Sequence, residues 1–159
     1  SLPMLQRARE RVAAATSGTV LTLQADMRDV DFGEARFDVV VTAATLHHLR
    51  SDEEWRSLFK KIYRAVRPGG SFWIFDLVEQ ATAEVQALMW TRYGEYLSAL
   101  KGGGEAGDAY REAVFAYVAK EDTPRSLLFQ TALLEAVGFT GVEVLHKNGP
   151  FAAFGGRKA

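Results

Sequence analysis

The sequence predicts an α/β fold in which a doubly wound, mostly parallel sheet ends in an antiparallel hairpin, and three observations carry that expectation. A near-continuous apolar run, Phe37 to Thr42 (FDVVVT), reads as a strand covered on both faces. An amphipathic helix follows: Ser51 with Glu54 three residues on is a capping box, and Trp55, Leu58, Phe59, Ile62 and Val66 share one face. Arg67-Pro68-Gly69-Gly70 stops that helix and leads at once into a second buried run, Ser71 to Leu77 (SFWIFDL). Strand, helix and strand with short connections make a βαβ unit, whose right-handed crossover leaves the two strands parallel.

The remaining elements are read in chain order. Leu5, Ala8, Val12 and Ala15 recur at helical spacing among charged residues, which predicts an amphipathic helix over Leu2 to Ala15. Gly18 ends it, Val20 to Leu23 is expected to be a short strand, and Gln24 to Asp31 a polar loop. Helical patterns over Gln80 to Leu100 and Asp108 to Ala119 form an insertion of about 80–122 beyond the minimal core, serving as a lid or a dimer element. A further helix is expected to start at Thr123-Pro124 and to stop at Gly138. Val142, Val144 and His146 then alternate toward Asn148-Gly149, a hairpin dipeptide, and Phe151 to Gly155 returns. Residues 1–159 are expected to form a single domain.

Composition narrows the function. With 48% apolar and 25% charged residues the chain has the balance of a globular domain, and a net charge of -1 supplies no general field for nucleic acid. There is no cysteine, hence no disulfide or thiolate chemistry, and no run approaches the roughly 20 apolar residues of a membrane span. A cytoplasmic protein without a membrane or nucleic-acid partner is expected.

Gly102, Gly104 and Gly107 spell G-x-G-x-x-G, but they follow a helix rather than a strand, so the spacing reads as a loop and not as a phosphate cradle. The strand ends are more informative, because ligands of open α/β sheets sit beyond the carboxyl edge. Asp26 could accept a hydrogen bond from an exocyclic amine with Met27 against an aromatic base; a solvated loop acid accounts for the same residue. After the second strand come Ala43 and Ala44, small enough for a ligand to approach the backbone, then His47 and His48, candidate proton acceptors. Adjacent histidines usually face apart, so no joint metal site is expected. Trp90, Tyr93 and Leu97, then Tyr110, Val114 and Tyr117, form stripes that read as packing or as a lid over an acceptor, with Trp90 and Tyr93 as its substrate contacts.

Four segments in series, LPMLQRARERV, QADMRDVDF, FDVVVTAATLHHL and LFKKIYRAVRPGGSFWIFDLVE, together with the ending LLEAVGFTGVEVLHKNGPFAAFGGRK, resemble class I S-adenosylmethionine-dependent methyltransferases in order and spacing. The resemblance implies a Rossmann-like three-layer sandwich, with S-adenosylmethionine as cofactor and a small molecule as methyl acceptor. It places Asp26 on the adenine amino group, Met27 and Met4 beside the ring, and Ala43 with Ala44 at the methionine amine. The family's opening strand, glycine-rich turn and acid-ended second strand have no counterpart, so the sandwich is expected to be incomplete, a truncated domain impaired in cofactor binding. The absent strands would lie between this chain's first two, and a homodimer is expected to cover the bared edge. An inactive oligomeric or scaffold fragment is the competing reading. A nucleotide-dependent oxidoreductase is the weaker third, for want of a dinucleotide turn.

Overall fold

The computed structural model describes residues 2–159, which separate into the segment up to Asp31 and the segment Phe32–Ala159. In the first, helix α1 (Leu2–Ala15) forms where its apolar spacing predicts, and none of its residues is buried. Val20 to Leu23 is not a strand, contrary to expectation, and Leu21 keeps 88% of its surface. β-propensity alone does not hold an extended segment; a strand needs a ladder partner for its N–H and C=O groups, and among the described residues no strand pairs with this one.

The second segment runs β1 (Phe37–Ala43), α2 (Asp52–Ala65), β2 (Val66–Leu77), α3 (Ala83–Ala99), α4 (Gly104–Glu121), α5 (Leu127–Val137), β3 (Phe139–Asn148) and β4 (Phe151–Lys158). Its sheet has the order β1-β2-β4-β3: β1 and β2 are parallel, and β4 lies antiparallel between β2 and β3. The Rossmann-like arrangement with a terminal hairpin is therefore the observed one.

Ser51 caps α2 by accepting from the Glu54 N–H at 3.2 Å, as the capping box requires. Trp55, Phe59 and Ile62 are buried together with Phe72, Ile74 and Phe154 of the sheet, Phe59 meeting Phe72, and α5 packs alongside through Trp55 and Phe129. Val66 belongs to β2 rather than to the helix: it pairs with Phe37, and the next partners are Val39 and Ser71, so Arg67 to Gly70 bulge out of the ladder.

β1 departs from its expected burial. Val39 and Val41 share a face with Trp73 and Phe75 and keep 57% and 66% of their surface, because α2 and α5 cover the opposite face. The last helix also starts later than Thr123-Pro124. Thr123 spends its N–H on the His47 carbonyl at 2.7 Å and its hydroxyl on the Leu49 carbonyl at 2.6 Å, and Ser126 caps α5 instead. Gly138 ends that helix in the left-handed conformation, φ 114°.

The insertion is a helical hairpin. Gly107 sits inside α4 where a Cβ would come within 2.6 Å of the Ser98 carbonyl oxygen, so the glycine spacing serves close helix contact. Among the described residues no helix is long and apolar enough to cross a membrane.

Candidate functional site

Because β1 and β2 are parallel with Ala43 opposite Phe75, their carboxyl ends finish side by side. The chain leaves β1 through Ala44, whose N–H donates to the Phe75 carbonyl at 2.8 Å and whose φ of 49° is left-handed. That conformation costs a non-glycine residue roughly 1 to 2 kcal/mol. The Ala43 carbonyl accepts from the Thr45 hydroxyl at 2.7 Å and keeps a second lone pair.

Asp76, the neighbour of Phe75 on β2, anchors the loop that follows β1. Its side chain is fully buried; one oxygen accepts from the N–H groups of Thr45 at 3.1 Å and Leu46 at 2.7 Å. The other accepts from the Leu77 N–H at 2.7 Å and is hydrogen-bonded by His47 Nδ1. A short 3₁₀ turn, Leu46–His48, is held in this way over the end of β2.

Both histidines of that turn face Asp122, the residue after α4. Asp122 Oδ2 is 3.7 Å from His47 Nε2, Asp122 Oδ1 is 3.1 Å from His48 Nδ1, and the imidazole rings lie 4.4 Å apart at a steep angle. The expectation that adjacent histidines face apart fails here, because the 3₁₀ turn brings both rings to one carboxylate. Burial acts to lower the His47 pKa, but the Asp76 hydrogen bond, the Asp76 charge and then the Asp122 charge outweigh it, and the imidazole is held above its ordinary value.

A separate cleft of about 890 Å³ opens beyond Phe75, lined among others by Met89, Tyr93 and Tyr96 of α3, Lys147 of β3 and Phe151 of β4. Phe75 stacks on Phe151 at 5.7 Å, and Tyr93 meets Phe151 edge-on at 5.4 Å. Burial, then neighbouring Tyr110 and Tyr96, raises the Tyr93 pKa, which keeps its phenol neutral. Trp90 does not line the cleft; it packs on Phe115 at 5.1 Å. Neither His47 nor His48 lines it.

The other expected site residues belong to the segment up to Asp31. Met4 lies exposed on α1 and Met27 is half-buried. Asp26 is turned onto Arg28, accepting from its backbone N–H at 2.9 Å, from Nε at 3.0 Å and from Nη2 at 2.7 Å. Those contacts lower its pKa to about 2.

Asp76 and Asp122 escaped the sequence reading. For Asp76 a signal existed: a carboxylate inside the apolar run FWIFDL is intelligible only if buried partners receive it. For Asp122 there was none, since its contacts come from a turn far away in sequence.

A family model described as a methyltransferase domain matches residues 1–70. The carboxy-S-adenosyl-L-methionine synthase of Shewanella amazonensis is 37% identical over 90 residues, covering 56% of this chain and 36% of that protein. Among solved structures, the S-adenosylmethionine-dependent methyltransferase SibL in its apo form superposes with a TM-score of 0.63 at 22% identity, over 97% of this chain and 40% of its own. An O-methyltransferase family protein from Burkholderia thailandensis gives 0.62 at 16% identity, over 97% and 40%. The chain thus spans well under half the length of these relatives.

Proposed function

We propose that the chain, whose residues 1–70 match a methyltransferase-domain family model, is part of an S-adenosylmethionine-dependent methyltransferase and forms the acceptor side of a site that transfers a methyl group to a small molecule. The observation that carries this reading is the cleft lined by Phe75, Tyr93 and Phe151, which opens at the same strand ends where Ala43 and Ala44 present backbone without bulk.

The residues present fit the cofactor in part. The spare lone pair of the Ala43 carbonyl suits an ammonium donor, and the methyl side chains of Ala43 and Ala44 leave room for it. Met4, Asp26 and Met27 are assigned to the adenine end on family resemblance, with Asp26 retaining acceptor capacity beyond its Arg28 contacts. When bound, S-adenosylmethionine supplies an electrophilic methyl on a sulfonium. Tyr93, Phe75 and Phe151 orient the acceptor and exclude water from its lone pair, and such positioning accounts for much of the acceleration in a displacement of this kind. The reading does not call on His47 or His48 as bases. A homodimer belongs to the same reading, with a second copy covering Val39 and Val41 of β1.

Calorimetric titration of S-adenosylhomocysteine into the chain and into a longer protein containing it tests the reading. Saturable heat in the longer protein, with an acceptor KM raised about tenfold or more by Tyr93→Ala, is expected. No binding to either would overturn it and favour the inactive scaffold.

A further inference from the structure

We propose that His47, His48 and Asp122 bind one divalent transition-metal ion of the zinc class. The site stands on its own geometry and does not depend on the methyl-transfer reading.

One ligand atom from each residue lies within 4.8 Å of the others, and the two contacts to Asp122 are 3.1 and 3.7 Å. Donors about 2.0 to 2.1 Å from a tetrahedral zinc ion are separated by roughly 3.4 Å, so small side-chain adjustments complete the set. Two imidazoles and a carboxylate suit zinc or cobalt; magnesium and calcium prefer all-oxygen donors.

Two further observations point to a cation. The Asp122 side chain is only 4% exposed, yet its Oδ1 has no properly directed hydrogen bond, although His48 Nδ1 is its neighbour. A carboxylate in that condition is costly to bury unless a cation meets it. His47 already has the outer partner that metal-bound histidines commonly possess: its Nδ1 is engaged by Asp76, which leaves Nε2 directed toward Asp122. Asp76 is itself fixed by the N–H groups of Thr45, Leu46 and Leu77.

The site is also pre-assembled from the backbone. Thr123, adjacent to Asp122, bonds the carbonyls of His47 and Leu49 and thereby holds the end of α4 against the 3₁₀ turn. The His48 side chain is partly exposed, so water reaches the remaining coordination position.

The test uses the chain freed of metal with a chelator. Zinc chloride titrated by calorimetry is expected to bind at one equivalent, and His48→Gln and Asp122→Asn to weaken it at least tenfold. His146→Gln, which removes the other histidine, is expected to leave binding unchanged. Thermal unfolding in chelator establishes that each variant is folded. In the unaltered chain, cobalt(II) is expected to shift the imidazole NMR signals of His47 and His48 and spare those of His146, a readout that needs no substitution. Absence of saturable zinc and cobalt binding would overturn the proposal. Undiminished binding in both folded variants, or equal affinity for magnesium, would overturn it too.

Discussion

On one face of the sheet Phe72, Ile74 and Phe154 are sealed beneath α2 and α5, whereas on the other Val39, Val41 and Phe75 keep 57%, 66% and 43% of their surface. The two faces are similarly apolar. What separates them is the supply of amphipathic helices: α2 carries a continuous stripe of Trp55, Phe59 and Ile62 for the covered side, and no helix of Phe32–Ala159 does the same for Val39 and Val41. Apolar character in a strand records what its surroundings must provide, not what this length of chain provides. The open side is also where Phe75 and Phe151 line the cleft, so the uncovered face and the proposed acceptor site share residues.

Substitutions on the two faces sharpen that contrast. Phe72→Ala on the sealed face removes a fully buried ring from contact with Phe59 and Phe139 and is expected to cost roughly 3 to 5 kcal/mol in chemical denaturation. An equal cost at Val41 would erase the distinction between the faces. Asp76→Ala, at the end of the same sheet, strands three backbone donors and His47; a loss of about 3 kcal/mol is expected, with the loop after β1 losing amide protection first.

Val41→Ser on the open face is expected to change monomer stability by no more than about 0.5 kcal/mol. If a second copy covers this face, Val41→Asp disrupts association in light scattering while leaving unfolding of the monomer nearly unchanged. The smallest effect is electrostatic and lies in the segment up to Asp31. The Asp26 pKa falls from 3.8 to about 2 through Arg28, so its favourable contact is present above the ordinary value and is lost as pH falls through about 2. An NMR titration of the Asp26 carboxyl follows this, and Arg28→Ala is expected to return it toward the ordinary range.

Much of the fold was legible because its determinants are local. The Ser51 capping box, the α2 stripe and Gly138 after α5 each act through a few neighbouring residues and appear where their patterns predict, whereas the hairpin turns one residue later than Asn148-Gly149, on Gly149-Pro150, because Asn148 still pairs with Phe151. Val20 to Leu23 was misread because strand propensity was taken for a strand. Thr123 looked like a cap, but its hydrogen bonds go to a distant loop. In the candidate sites, the stripe put Trp90 and Tyr93 on one helix face, and of the two Tyr93 lines the cleft. Trp90 was assigned to the acceptor on the same stripe, yet turns to Phe115 because spacing along a helix does not specify which neighbour fills the adjoining space.

From the sequence alone came the alternation of strand and helix, the parallel β1 and β2, the closing hairpin and the family resemblance, all set by short-range periodicity and by the order of segments. Tertiary structure alone decided that His47 and His48 turn to one carboxylate, that Asp76 and Asp122 flank them, and that one sheet face lies open. The physical reason is reach: caps and stripes act within a few residues, whereas a buried carboxylate takes its partners from whatever elements the packed core brings beside it.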